Sequence, residues 1–305
     1  MTKNKSINSS NIYKCIELFD KWIRPNIFIP QSVADIENLE VILEEVKEDK
    51  PSIDDLRPSK ENHLYDLWWS TIVMLSSWVN QQHYPGRHIE WFIKTKDGRY
   101  LGILRLSSEL PATSARDAEI GWNDVDKFAK LNGKPTGKTP KINHSTQLQA
   151  VIPFRSFGVN CLGGKLITQL AHTKEIVGRY DAKYKDKTVL LTVLSLNPRP
   201  CQYSSIQYWK FIGNTKGDAA GNNKRPTFFC PLYTNYKEFL RNEITEDKLI
   251  PSGKLIDIPT AITWWKSKAI ARIKKRIIDG TFTTKEEYFD TLYTKGDPTL
   301  GFFKF

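Results

Sequence analysis

No segment of this chain of 305 residues approaches the roughly 20 uninterrupted apolar residues of a membrane-spanning helix. The first residues, MTKNKSINSSN, lack the apolar core of a secretory signal, so a cytoplasmic protein is expected. Cysteine is sparse: Cys15, Cys161, Cys201 and Cys230 lie far apart with no CxxC pair, which argues against both a disulfide framework and a thiolate zinc site. Four reduced structural thiols are predicted instead. His83 and His88 lack the spacing and acidic company of a metal site, and no metal is assigned. Two phosphate motifs are also missing. Neither the GxxxxGK[ST] spacing of a nucleoside-triphosphatase loop nor the GxGxxG of a dinucleotide site occurs at the glycines discussed below.

What is present is a hydrophobic content of 40%, enough for a sizeable core in one large domain or two smaller ones. The formal net charge is +11, which raises the prospect of a polyanionic partner such as nucleic acid. Part of that excess is equally explained by a solvated lysine surface.

Along the chain, Ile12 to Ile23 spaces its apolar residues at three and four, as in an amphipathic helix, and the acidic run from Asp35 to Asp55 reads as a solvated helix and loop. Leu64, Leu67, Trp68, Ile72, Leu75 and Val79 fall at helical spacing, and their tryptophan neighbours read as core. IEWFIKT and RYLGILRLS flank Asp97-Gly98, the signature of a hairpin over Ile89 to Ser107 with a primed turn. Gly102, inside the second strand, predicts a bulge or a close backbone approach. The polar stretch from Asn123 to Ser145 is a long excursion, either a lid or a tolerated insertion.

The stretch from Gln149 to Gly217 organises the rest. An apolar run ending at Pro153 leads through the loop Phe154 to Cys161 into a segment whose Leu162, Leu166, Ile167, Leu170 and Val177 fit one helical face. A helix N-terminus there would present unpaired N–H groups, with Gly158, Gly163 and Gly164 giving access and Arg155 and Lys165 adding charge. The competing account is that these glycines serve packing. Thr188 to Leu196 is almost wholly apolar, as in a strand covered on both faces, and ends at Asn197-Pro198-Arg199-Pro200, where the ladder must break. A short helical turn over Ser204 to Phe211 and a last strand over Thr227 to Tyr233 follow.

Residues 259 to 280 form a basic amphipathic helix with Gly280 as its C-cap. Ile262, Trp265, Ala269, Ile273 and Ile277 line one face, and Lys266, Lys268, Arg272, Lys275 and Arg276 populate the rest. Nucleic acid, a membrane surface and plain solvent compete for that basic face. The aromatics of Phe282 to Phe305 are expected to pack back on the domain.

This order of hairpin, long strand, glycine loop, helix, apolar strand broken at Asn-Pro and tyrosine-bearing turn resembles the GNAT acyltransferase superfamily over residues 89 to 235. The resemblance implies an α+β fold, a mixed central sheet flanked by helices, with helical additions at both ends: residues 1–85, a core over 86–240, and a basic extension over 241–305. It also implies an acyl-CoA or related acyl donor held by Arg155, Phe157, Gly158, Asn160, Gly163, Gly164, Lys165 and Asn197. RDAEIGW, PFRSFGVNCLGGKL and YWKFIGNTKG are similar, more narrowly, to motifs of the DruA-like family, named for a component of the Druantia antiphage system and also represented among phage proteins. A more distant resemblance is to the phage Mom protein, a GNAT-like modifier of adenine in DNA.

These resemblances imply a transferase modifying nucleobases in DNA during phage–host conflict. Tyr208 or Tyr203 would be the acid at the leaving thiolate, Asp117 and Glu119 would supply the base, and the backbone N–H groups of Val151 or the following residues would polarise the carbonyl. Lys216 would join the basic helix in holding DNA. The alternative is a non-catalytic nucleic-acid-binding protein on the same scaffold, favoured by Val159 and Asn160 standing where the pyrophosphate signature has small residues.

Overall fold

A computed structural model describes residues 9–46, 63–75, 86–122, 130–131, 134–135, 139–154, 157–158, 161–216 and 224–278. Helix α1 (Ser9–Leu18) runs into a π-helical turn, Phe19–Ile23, and a 3-10 turn, Arg24–Asn26. Then come α2 (Val33–Glu37), β1 (Val41–Glu45), α3 (His63–Leu75), β2 (His88–Thr95), β3 (Tyr100–Ser108) and α4 (Ser114–Ile120). The two-residue strands β4 (Lys130–Leu131) and β5 (Lys134–Pro135) pair with each other, and α5 (Thr139–Ile142) leads to β6 (Ser145–Pro153). Helices α6 (Gly163–Leu170) and α7 (Lys174–Tyr184) precede β7 (Leu190–Leu194), β8 (Lys210–Asn214), β9 (Pro226–Pro231), α8 (Tyr236–Leu240) and α9 (Ile258–Ile278).

Seven strands form one mixed sheet in the order β1-β2-β3-β6-β7-β9-β8. Every neighbour pair is antiparallel except β6 and β7, which are parallel and matched only from Ser145, Thr146 and Gln147 to Leu190, Leu191 and Thr192. β6 continues to Pro153 beyond that pairing, so the two strands part into a fork.

Side chains alternate between the faces of a strand, which separates the two sides of this sheet. Leu191, Val193, Phe228 and Cys230 look towards α6, α7 and α9, in the core that also holds Leu166, Ile167, Leu170, Trp265 and Ile273. The opposite face carries two smaller cores. Phe92, Ile103 and Ala150 pack under α3, with Trp68 and Trp69 buried as the helical spacing predicts, and Leu190 and Phe229 pack with Ile120, Trp122 and Phe239. Between these two cores the face is polar.

Several expectations are met in detail. In the hairpin, the Gly98 N–H donates to the Thr95 carbonyl at 2.9 Å and Gly98 takes a φ of +89°. Asp97 is not among the residues with positive φ, so the turn is a type I turn closed by a glycine bulge rather than the primed turn expected from Asp-Gly. Gly102 fulfils both readings: the register slips beside its partner Ile93, and a Cβ added to it would stand 2.5 Å from the Ile152 carbonyl oxygen. The face of α9 named from its spacing is buried at Ile262, Trp265, Ala269 and Ile273. Among the described residues no helix is long and apolar enough to cross a membrane.

Three expectations change. Part of the acidic run is the edge strand β1, because Val41 and Leu43 half-bury against the core while Glu44 and Glu45 reach Lys94 and Arg179 at 2.5 and 2.6 Å. The single helix read from Leu162 onward is two. The Lys174 N–H donates to the Ile256 carbonyl and the Ile256 N–H to that of His172, which interrupts the helical ladder at Ala171 to Thr173. The helical turn placed over Ser204 to Phe211 is not formed: Ser205 and Tyr208 take left-handed φ of +59° and +72°, the Trp209 N–H closes a tight turn on the Ile206 carbonyl, and Lys210 and Phe211 already pair with Phe229 and Phe228 in β8. The proposed excursion over 123–145, the C-cap at Gly280 and the aromatic tail lie wholly or largely outside the described residues.

Overpacking at a close backbone approach costs on the order of 1–3 kcal/mol. Gly102→Ala should therefore lower the urea midpoint by that equivalent, without a change in slope, while Gly98→Ala costs about 1 kcal/mol through its left-handed φ.

Candidate functional site

β3 presents Arg105 and Ser107 to the polar strip between the two smaller cores, with Glu109 just past the strand's end. The three alternate with the apolar residues of the other face. Glu109 is 8% exposed and its carboxylate is fully engaged. One oxygen accepts from the Leu110 N–H and lies 3.0 Å from Arg116 Nη1; the other accepts from the Ser145 hydroxyl at 2.9 Å and from Thr192. Arg116, wholly buried in α4, also donates to the Leu110 and Pro111 carbonyls and, through Nε and Nη2, to Asp117 at 2.9 and 2.6 Å. Two carboxylates thus share one guanidinium, and together they tie β3, α4, β6 and β7 where the fork begins.

A cavity of about 240 Å³ opens at this place, lined among others by Arg105, Ser107, Glu109, Gln147, Gln149 and Leu194. Arg105 is 1% exposed. Its Nε stands 3.3 Å from Glu90 without hydrogen-bond geometry, and its guanidinium carbon lies 5.8 Å from the centre of the Trp68 ring. The β6 side of the fork offers backbone as well. The Phe154 N–H donates to the Leu101 carbonyl, so alternation directs Ile152 and Ala150 towards β3 and leaves the Val151 N–H and C=O facing the fork. Gln202 Nε2 donates to the Val151 carbonyl at 3.0 Å.

The expected catalytic residues fall on two sides of the sheet. Asp117 joins the web just described. Glu119 points elsewhere, to Lys237 at 2.8 Å and the Tyr236 hydroxyl at 3.3 Å. Tyr203 is buried against Phe228, on the helix α6 face, and burial pushes its phenol well above the usual range. Tyr208 is half-buried on that same side, its ring 5.9 Å from that of His172, with a left-handed φ of +72°. Neither tyrosine is brought together with Asp117 or Glu119.

Of the expected donor-binding residues, Arg155 and Asn160 lie outside the described residues. Phe157 is core, with ring centres 6.0 Å from Phe28 and 5.3 Å from Trp265. Glycine is needed at 158, 163 and 164 for packing: a Cβ at Gly158 would meet Pro153, one at Gly163 the Phe157 ring, and one at Gly164 the Gln202 side chain. The space in front of Gly163 and Gly164 is therefore filled by this chain, which corrects their expected role as an open approach for phosphate. Lys165 donates to the Ser204 carbonyl, and burial lowers its pKa. Asn197 is exposed, its backbone turned by the Ser195 hydroxyl.

The basic helix α9 packs on the α6 face, away from the cavity. Trp265 Nε1 donates to the Cys161 carbonyl at 2.7 Å and Lys266 Nζ to that of Glu37 at 2.5 Å. Arg272 lies half-buried, close enough to Cys161 and Lys165 to act on both electrostatically, while Lys268 and Lys275 are exposed and Arg276 is partly so. Lys216 is exposed at the end of β8, its N–H donating to the Ser114 hydroxyl. Arg105, Glu109, Arg116, Ser145 and Thr192 escape a linear reading. The one signal available was Arg105, Ser107 and Glu109 recurring at period two in and just beyond an otherwise apolar strand.

Replacing Arg116 by Met leaves two carboxylates buried without their shared cation, and thermal denaturation should report a loss of about 3–5 kcal/mol. A second prediction concerns His172, whose pKa burial depresses to about 4. A neutral buried imidazole adds stability that is fully present above about pH 6.5 and is lost as pH falls towards 4, on the order of 3 kcal/mol in total. His172→Gln should flatten that part of the stability–pH curve measured by urea titration.

No curated protein and no solved structure matches the chain. A family model does, over residues 5–256, and membership of its family suggests a role in antiphage defence. The chain belongs to the family described as Druantia protein DruA.

Proposed function

We propose that the chain is an acyl- or aminoacyl-type transferase on a GNAT-like fold that modifies nucleobases in DNA, in the manner of the Mom protein. The supporting observation is the fork. A seven-stranded sheet whose single parallel pair parts after three residues is the arrangement in which that superfamily seats its donor, and the Val151 N–H lies on the open edge where a donor carbonyl would be polarised. The acyl end of a donor on that edge would reach the cavity at Arg105 and Glu109. Of the two tyrosines, Tyr208 is the better candidate for the acid at the leaving group, because Tyr203 is sealed in the core. Asp117 acts in this scheme through Arg116 and Glu109, as a positioning residue. DNA would bind through Lys268 and Lys275 on α9, with Lys266, Arg272, Arg276 and Lys216 around them, in keeping with the net charge of +11.

A second reading is favoured by a specific feature of the same fork. Gln202 occupies the Val151 carbonyl, Lys165 is committed to Ser204, and Gly163 and Gly164 are covered, so the donor's place is taken by the chain itself. On that reading the protein binds nucleic acid without catalysis.

Calorimetry with acetyl-CoA and mass spectrometry of nucleosides from expressing cells separate the two. The transferase reading expects donor binding that strengthens in Gln202→Ala, together with a modified nucleoside in the DNA. No heat from either protein, with unmodified DNA, would leave only the binding reading. Both expect DNA affinity that falls with salt, and Lys268→Ala combined with Lys275→Ala should reduce the slope of log K against log salt by about 2.

A further inference from the structure

A buried guanidinium with unmet donors is costly, because each hydrogen bond to a charged group that is left unmade forfeits on the order of 1–3 kcal/mol. Arg105 is in that state. Its Nε and Nη2 are buried and find no hydrogen-bond acceptor among the described residues. The contrast with Arg116, on the helix that follows β3 and equally buried, is complete, since every edge of that side chain is engaged. Arg105 lines the fork cavity, and so does Gln149, whose side-chain oxygen is also buried without a donor. Ser107, Ser108 and Gln147 add further polar groups to the same wall, while Leu148, Leu194 and Leu196 make the rest apolar.

We propose that this cavity is a binding site for a small molecule carrying one carboxylate, whose oxygens take the free edge of Arg105 and whose short apolar body lies on Leu148, Leu194 and Leu196. Charge balance selects the carboxylate. Glu90, 3.3 Å from the guanidinium, already offsets its charge, so a ligand with one negative charge, drawn by Arg87 and Arg225 on the same wall, is opposed less than a phosphate dianion, which would crowd a second charge against Glu90. The planar fork of the guanidinium suits two coplanar oxygens. A volume of about 240 Å³ corresponds to about eight water molecules, more than a bare anion fills and in proportion to a small branched acid. The inference deepens the acyltransferase reading, since a short acid is what an acyl group becomes when freed. Its test is nevertheless a binding measurement that can succeed where transfer activity and DNA binding are absent.

Isovalerate and inorganic phosphate are titrated into the full chain and followed by calorimetry and by ligand-observed NMR. Isovalerate is expected to bind and phosphate not to. Arg105→Lys retains the charge that Glu90 needs but loses the fork, and should weaken isovalerate roughly ten- to hundredfold, the equivalent of one charge-assisted hydrogen bond or more. Leu196 is 56% exposed at the cavity rim, so Leu196→Trp should leave the fold intact and block the site. The proposal is overturned if folded wild-type protein binds no isovalerate, which would mean that the cavity holds water only. It fails equally if phosphate binds in preference, or if both variants bind isovalerate as the wild type does.

Discussion

Two parallel strands that separate must leave backbone donors and acceptors facing each other across a gap too wide to bridge, and buried backbone groups have to be satisfied by something. The parting of β6 from β7 after Gln147 and Thr192 is the constraint around which this protein is arranged. Gln202 answers it from one side of the sheet, reaching the Val151 carbonyl with its amide. On the other side Glu109 clamps the point of divergence by accepting from Ser145 on β6 and Thr192 on β7 at once. The gap beyond Glu109, walled by Gln147 and Gln149 of β6 and Leu194 of β7, is the cavity. The turn at Cys201 to Ser205, which carries Gln202, and the placement of α4, which carries Arg116, each serve to close the fork on one face or the other.

The Glu109 web also explains why a polar strip can persist between two apolar cores. A buried carboxylate is costly unless it is paired and hydrogen-bonded, and here Arg116 lies against Glu109 and Asp117 together while hydroxyl and backbone donors complete the shell. Arg116 is itself covered by the Trp122 ring, 5.2 Å from the guanidinium carbon, which keeps water from competing for the pair. Arg105, further back along β3, has no such shell: its Nε and Nη2 find no acceptor among the described residues. The two arginines are alike in burial and opposite in saturation, and that difference separates scaffold from site.

How much of this could be read beforehand divides by the range of the forces involved. The hairpin at Gly98, the close approach at Gly102, the last strand and the buried face of α9 depend on turn chemistry and on periodicity within a dozen residues, and all were legible. The break at Ala171 to Thr173 was not, because it is imposed by Ile256, some eighty positions away, pairing with the backbone of His172 and Lys174. The glycines at 163 and 164 showed that something approaches closely, but a sequence does not tell whether the visitor is a ligand or a side chain of the same chain. Here it is Phe157 and Gln202. The web of Glu109 was hidden for the same reason: its members come from four elements, and only the strand register brings them together.

The indole of Trp265 gives the C-terminal helix a meaning that its charge does not. It is fully buried, sits beside Phe157 and holds the Cys161 carbonyl just ahead of α6, yet it lies beyond residue 256, where the family likeness ends. The matched stretch and the packed interior therefore end at different places in this chain. A fragment trimmed to the shared portion would lose a wall of its own interior, and the segment that looks like an appendage is the keystone of the loop it covers.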